Sequence, residues 1–562
     1  MNKSKTMGFS HTSEWNKVNW RKLKRALFKL QKRIFRASQR GDVRAVRRLQ
    51  KTLMKSWTAK MIAVRRVTQD NKGKKTAGVD GIKSLTPLQR LSLVNNLKVC
   101  GKAKPTRRVW IPKPGKGEKR PLGIPTMYDR TLQALAKLAL EPEWEAQFEP
   151  NSYGFRPGRS GHDAIEAIFN SIKQKPKWVL DADIAKCFDK INHDALLRKL
   201  NTYPSMKRLI RSWLKAGVMD NDTFSTTDKG TPQGGVISPL LANIALHGME
   251  KRIKQYAETL PGKKRDNKSA LSLVRYADDF VIMHKDLTVV EECQKVINLW
   301  LMDMGLELKS SKTRITHTMD GFDFLGFNVR QYQVGKNQSK QGFKTIIKPS
   351  KQKIHKHYEQ LSSVIDRYKA APQKALISRL KPIITGWCNY YSTVCSKETF
   401  NDLGNMLWNK LQRWGYRRHP KKSKTWVNQK YWGTISNDNW VFMAQEDNYL
   451  PKHALTPIVR HVKVKESRSP YDGDLIYWST RMGKHPVLTN QKARLLKRQK
   501  GKCSHCGLTF RDEDLLETHH IIPRSIGGNN TDDNLELLHL HCHDVRHGST
   551  VKTSHELDAH PW

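Results

Sequence analysis

Apolar residues recur at Trp15, Val18, Leu23, Leu27, Leu30 and Ile34, while Lys22, Arg25, Lys29, Lys32, Arg33 and Arg36 fill the remaining faces. That spacing predicts a basic amphipathic helix. Residues 70–81 are polar and rich in Gly and Lys, which predicts a loop. The run Ile111 to Gly123, IPKPGKGEKRPLG, is broken by Pro and Gly and studded with bases, so it reads as a hairpin or loop. Thr131 to Ala139 reads as helix. From Trp178 to Ile184 the period is two, with Val179, Asp181 and Asp183 on one face and Leu180, Ala182 and Ile184 on the other. This predicts a half-buried strand carrying two carboxylates. Leu273 to Met283 is apolar on both sides of Asp278-Asp279, which predicts a hairpin with its acids at the tip. Residues 350–412 read as mostly helical, and 415–480 as irregular, with many Trp, Tyr and basic residues. Strands and helices mix without strict alternation, so the fold class is α+β.

Charge narrows the function. The 562 residues hold 102 Lys+Arg against 51 Asp+Glu, a formal charge of +51. No run of about 20 apolar residues is present, so no membrane span and no membrane partner is expected. The 16 Trp, 16 Phe and 15 Tyr argue against wholesale disorder. A field this positive favours a long polyanion, most simply nucleic acid, over an ordinary metabolic substrate. The excess is uneven. Residues 1–80 hold 23 bases and 4 acids, residues 340–489 hold 27 and 10, and residues 490–562 hold 10 and 10. A neutral tail on a basic body suggests a separately acquired module. Five of the eight cysteines are scattered, whereas Cys503, Cys506 and Cys542 cluster in the tail. The N-terminus has no secretory apolar region, so a reduced compartment is expected and the clustered cysteines read as metal ligands. The expected location is cytoplasmic or nucleoid-associated, in a bacterium or an organelle.

Asp183, Asp278 and Asp279 carry the sharpest chemical signal. Aspartate is disfavoured in strands, and several carboxylates brought together repel unless a cation neutralises them. Hard oxygen ligands suit magnesium, and two such ions can activate a 3′ hydroxyl and stabilise leaving pyrophosphate. Asp181 shares the strand face and rivals Asp183.

These residues sit in a resemblance. Tyr276-Ala277-Asp278-Asp279 resembles the YADD form of the reverse-transcriptase motif, and Asp183 to Asp189 (DIAKCFD) resembles its partner strand. Gly230-Thr231-Pro232-Gln233-Gly234-Gly235, followed by Ile237-Ser238-Pro239, resembles the nucleotide-pocket loop. Tyr153 to Arg159 (YGFRPGR) and Arg120 to Pro125 (RPLGIP) resemble group II intron reverse transcriptases, and Phe324-Leu325-Gly326-Phe327 resembles the primer grip. The motifs occur in the family's order over roughly residues 15–480. The resemblance implies a right-hand polymerase in which Asp183, Asp278 and Asp279 hold two magnesium ions. It implies that Phe188 lies under the incoming sugar, that Gln233 contacts the nucleotide or template pair, that Lys113 and Arg120 neutralise the triphosphate, and that Lys312 stands near the leaving group. Downstream, Leu380 to Trp387 and Asn389-Tyr390-Tyr391 resemble the helical thumb, or maturase domain. Arg417 to Lys422 and Trp426 to Trp432 resemble the adjacent DNA-binding region, where bases interleaved with aromatics suit phosphate contacts and stacking.

The tail reads Cys503-x2-Cys506, then Glu517 to Pro523 (ETHHIIP), then Asn534, then His539-x2-Cys542-His543-x3-His547. Paired spacings of sulfur and nitrogen suit zinc, and Cys503, Cys506, His539 and Cys542 are the expected structural ligands, with His541 competing for the place of His539. The module resembles HNH endonucleases of the ββα-metal type, although those usually have Cys where His539 stands. The resemblance implies that His519, His543 and His547 bind a divalent catalytic ion whose identity the sequence leaves open. It implies that His520 is the general base and that Asn534 orients the His520 strand. A zinc ribbon without catalysis is the alternative.

The expected domains are a basic extension (1–80), fingers and palm (81–340), thumb (341–412), a DNA-binding region (413–489) and the HNH module (490–562). The implied protein is a multifunctional group II intron-encoded one. It polymerises DNA on RNA from dNTPs, assists splicing of its intron RNA, and nicks target DNA to prime synthesis during mobility. The alternatives are a splicing cofactor with an inactive polymerase, or a reverse transcriptase of another bacterial lineage.

Overall fold

The computed structural model describes residues 15–99, 102–112, 117–435, 438–446, 448–482, 488, 490–510 and 514–547. Lys113, expected at the triphosphate, lies outside them. The basic helix is realised as α1 (Trp20–Gln39), capped by the Asn19 side chain on Lys22 N. Leu23, Leu27 and Ile34 are buried, and the bases face outward. Helices α2 (Val43–Lys55) and α3 (Trp57–Arg65) follow, and all three pack on the long buried helix α4 (Met127–Glu145). The polar break at 70–81 contains only a short 3-10 turn, Lys72–Lys75.

The Pro/Gly-punctuated run forms a hairpin, β1 (Thr106–Pro112) and β2 (Lys119–Ile124), extended by β4 (Val218–Asp220) and β5 (Thr223–Ser225) into a sheet of order β2-β1-β4-β5. A second four-stranded sheet is fully antiparallel, in order β6-β7-β3-β8, from β3 (Trp178–Asp183), β6 (Ser272–Tyr276), β7 (Asp279–His284) and β8 (Arg314–His317).

This second sheet separates two hydrophobic cores. Leu180, Ala182 and Ile184 join the core containing the N-terminal helices. Val179, Val274, Val281 and Met283 join a core built with α5 (Gly161–Ile172) and three later helices, α8 (Lys351–Arg367), α9 (Gln373–Tyr391) and α10 (Lys397–Arg418). Period two therefore sorted the faces, but β3 is covered on both rather than half-buried. Helix α7 (Leu287–Met302) packs against β3 and β7 from the first side. A three-stranded sheet, β9 (Phe322–Phe324), β10 (Phe327–Gln333) and β11 (Phe343–Pro349), leads into α8.

The stretch read as irregular, 415–480, is only partly so. It holds α11 (Lys424–Tyr431) and a small sheet of β12 (Trp432–Ile435), β13 (Asp438–Gln445) and β14 (Asn448–Tyr449). Its aromatics supply the order, since Phe442 packs on Trp432, and Tyr431 and Phe442 pack on Trp414 of α10. The tail contains α12 (Asn490–Arg498), the hairpin β15 (Leu516–His520) and β16 (Leu535–His539), and α13 (Leu540–Arg546), around a small core of its own. Among the described residues no helix is long and apolar enough to cross a membrane.

Candidate polymerase and nuclease sites

Asp183 closes β3 directly opposite Asp279, which opens β7, and Asp278 stands in the turn between β6 and β7. Burial raises the carboxyl of Asp278, and burial together with Asp278 and Asp183 pushes that of Asp279 up to about 7. Carboxylates gathered this closely repel one another unless a cation sits among them. The Lys312 ammonium lies 2.6 Å from Asp183 Oδ2, and that contact raises its own pKa. A cation is thus already favoured at this corner, so the donor set fits a hard divalent ion. Asp181 shares the face, sits opposite Arg314 of β8, and is raised to about 6, first by burial.

The turn is held by residues the sequence did not single out. Arg275 is 1% exposed and donates to Asn243 Oδ1 (3.1 Å), Ala277 O (3.0 Å) and Ser152 Oγ (2.7 Å). Ala277 has φ +57°, and a Cβ on Gly154 would stand 2.3 Å from Ala277 N. Gly154 of the YGF motif is therefore required by close backbone approach to the two aspartates. No sequence signal marks Arg275 beyond a lone base inside an apolar run.

Beside this corner lies a cavity of about 260 Å³ whose lining includes Arg108, Pro121, Phe188, Pro232 and Gln233. Phe188 sits on a single helical turn, α6 (Cys187–Lys190), with its ring edge-to-face with Phe155 at 6.1 Å. Thr231 N donates to Phe188 O at 2.6 Å, and a Cβ on Gly230 (φ +81°) would collide with that same carbonyl. Gly123 N donates to Gln233 O at 2.7 Å, which joins the RPLGIP and GTPQGG motifs. The Gln233 amide donates to Asp189 Oδ1 at 3.2 Å. Arg120 is exposed on β2 and acts on Asp278, favouring its ionised form. The FLGF motif is the β9–β10 turn, where Leu325 and Gly326 both take positive φ; Tyr391 of α9 donates to Gly326 O at 3.2 Å.

In the tail, one ligand atom each from Cys503, Cys506, His539 and Cys542 lies within 4.8 Å of the others, and the same holds for His519, His543 and His547. His539 Nδ1 is 3.3 Å from Cys506 Sγ and 4.0 Å from Cys542 Sγ. The neighbouring thiols pull Cys503 far down, while Cys542, beside that charge, is pushed up. Three sulfurs and an imidazole fit zinc. His541 is turned elsewhere. It lines a cavity of about 270 Å³ shared with Trp20, Lys24 and Arg65, and burial followed by Arg65 and Lys24 lowers it to about 2. His539 Nε2 faces Asp514 Oδ2 at 3.3 Å, and Asp514 Oδ1 meets Lys24 of α1 at 3.0 Å. The carboxylate behind the imidazole fixes which nitrogen points at the sulfurs. A contact spanning 490 residues carries no local sequence signal.

His519 Nδ1 is 3.0 Å from His547 Nε2, and burial, then Arg546 and the other histidines, lower His519 to about 4. Neutral imidazoles are the metal-binding form. His520 Nε2 lies 2.9 Å from Asn530 Oδ1. Asn534 brackets Ile522, accepting from its N–H at 2.8 Å and donating to its carbonyl at 3.1 Å.

Comparison with known proteins places these features. Residues 111–329 match the family described as reverse transcriptase (RNA-dependent DNA polymerase), 15–97 the N-terminal domain of reverse transcriptase, 354–432 the group II intron maturase-specific domain, and 503–549 HNH endonuclease. The chain is 35% identical to protein YkfC of Escherichia coli over 305 residues, covering 47% of this chain and 78% of that protein. It is 29% identical to the group II intron-encoded protein LtrA of Lactococcus lactis over 499 residues, covering 74% and 80%. A maturase-like protein of Euglena gracilis is 28% identical over 388 residues, covering 66% and 76%. With fingers and palm, a maturase-specific region and an HNH endonuclease in one polypeptide, the chain belongs to the group II intron-encoded reverse transcriptase/maturases that carry a C-terminal HNH domain.

Proposed function

We propose that the chain's RNA-directed DNA polymerase and its nuclease work in sequence on one target. The HNH module nicks DNA, and the freed 3′ end primes copying of the intron RNA at the palm. The observation that carries this reading is the cross-strand pairing of Asp183 with Asp279, with Asp278 in the adjoining turn. Asp183, Asp278 and Asp279 hold magnesium, which when bound supplies Lewis-acid activation of the primer hydroxyl and charge neutralisation of the leaving pyrophosphate. Arg120 and Lys113 bind the triphosphate, since guanidinium and ammonium groups both match phosphate oxygens. Lys312 holds a positive charge beside the leaving group. The Phe188 ring closes the sugar side of the pocket, and Gln233 steadies the paired base. Asp181 shapes the field and is not a ligand, as it lies a residue pair further from the turn than Asp183.

In the tail, Cys503, Cys506, His539 and Cys542 hold a structural zinc that ties the turn after α12 to the end of β16 and the start of α13. His519, His543 and His547 hold a divalent ion that polarises the scissile phosphate. His520 takes a proton from water, and Asn534 fixes the loop behind it. The thumb (α8–α10) and the region through β14 grip intron RNA and target DNA, in keeping with 27 bases against 10 acids over residues 340–489. Splicing is RNA chemistry, so the protein contributes binding and folding only.

Primer extension on an RNA template tests the polymerase assignment. Wild type incorporates dNTPs and Asp278→Ala does not; a wild type without incorporation overturns it. His520→Ala should block only the DNA nick, and normal cutting by that variant would refute the base assignment.

A further inference from the structure

Helix α10 and strand β13, inside the nucleic-acid-gripping region, enclose a groove whose residues have been given no role of their own. Its cavity measures about 410 Å³, and its lining includes Asn401, Gly404, Asn405, Trp408, Trp440 and Lys452. That volume falls within the range of small-ligand sites. Asn401, Gly404, Asn405 and Trp408 lie three, four and seven residues apart, so they share one face of α10. Trp408 is 40% and Trp440 50% exposed, and their rings meet edge-to-face at 6.4 Å. Two large indoles this open beside a cavity are costly unless something covers them.

Gly404 adds a second, independent observation. Glycine inside a helix is unfavourable relative to alanine. Here the missing side chain relieves no crowding, because a Cβ at Gly404 would meet nothing within 4 Å. The absent side chain leaves the floor of the groove bare, which is useful to a flat ligand that lies against the helix backbone.

The rim is basic. The Lys397 ammonium donates to Ala454 O at the cavity edge, and Lys452 is held there by Asp438 at 2.7 Å. The surrounding segment carries the largest excess of bases of any comparable stretch after the N-terminal arm. Indole faces stack on any base, amides read base edges, and ammonium groups meet the flanking phosphates.

We infer that this groove is a slot for one unpaired nucleobase of single-stranded RNA or DNA, stacked on Trp408 or Trp440 above Gly404. The inference rests on the nucleic-acid-gripping role given to this region and names where one base is held. The test is ultraviolet crosslinking of the full chain to oligo(U) carrying 4-thiouridine, and in parallel to oligo(dT) carrying 4-thiothymidine, with adducts mapped by peptide mass. Adducts are expected on the peptides containing Trp408 or Trp440, and the stronger arm identifies RNA or DNA as the source. Gly404→Leu, which fills open space, should reduce those adducts about tenfold while crosslinks elsewhere persist and the melting temperature stays level or rises. Trp440→Ala, at an exposed strand position, should do the same. Crosslinks elsewhere with none in the slot, or slot adducts unchanged in both variants, overturn the slot and leave the wider nucleic-acid role standing. No crosslinks anywhere would overturn both.

Discussion

The palm and the nuclease module gather their candidate metal-binding side chains in opposite ways. In the palm, three carboxylates stand at the ends of central strands between two large cores, and burial with mutual repulsion raises Asp278 and Asp279. The fold supplies their positions at an electrostatic cost that Lys312 partly offsets. In the tail, short spacings in the turn after α12 and at the junction of β16 with α13 bring four candidate ligand atoms together around a core of nine buried residues among those described. The palm is a stable scaffold that strains its ligands. The tail is a small fold that leans on its ligands, as expected where the apolar core is slight.

The largest consequence concerns metal removal. Stripping the proposed zinc, or Cys503→Ser, should unfold the tail selectively, because structural zinc contributes on the order of 10–16 kcal/mol in small modules. Limited proteolysis should then cleave the tail while primer extension persists; joint loss of both activities would break the contrast. Next, Asp278→Ala should lower cDNA synthesis by about 10³-fold or more, since it removes a carboxylate proposed to hold the magnesium that offsets transition-state charge. Intron RNA binding should change little.

A smaller effect tests the strain itself. Asp279 has a raised folded-state pKa, so its stabilising share is present below the unfolded value near 3.8 and is lost as pH rises through about 7. In chelator, the palm's melting temperature should fall between pH 5 and pH 8, and Asp279→Asn should flatten that slope and stabilise the pH 8 form by roughly 2–4 kcal/mol. A slope unchanged by the substitution would show that the aspartates are not strained. The smallest effect belongs to the Lys24–Asp514 pair that links α1 to the His539 imidazole. Lys24→Ala should cost at most about 1 kcal/mol of tail stability in a thermal melt.

Local periodicity carried much of this from the sequence. The alternation in β3 sorted Asp181 and Asp183 onto one face, and the CxxC and HxxC spacings marked the sulfur cluster, because both are properties of adjacent turns or strands. The second cover over β3 was invisible, since beyond the neighbouring α5 it comes from α8, α9 and α10, far along the chain. The order in 415–480 was hidden because Trp and Tyr there looked like a nucleic-acid surface, whereas several form a core. Arg275 and Asp514 act through distant partners and left no pattern to read. His539 and His541 could not be separated by spacing; only the fold turns one toward the sulfurs and the other toward Arg65.

The central claim is that one chain holds two separable metal-dependent sites that act in succession. The most direct measurement is a single target-primed reaction with the Asp278→Ala protein bound to its intron RNA, scored for splicing, DNA nicking and cDNA. The account predicts splicing and a normal nick with no cDNA. Loss of the nick or of splicing in a folded Asp278→Ala protein, or cDNA at the wild-type level, would contradict it.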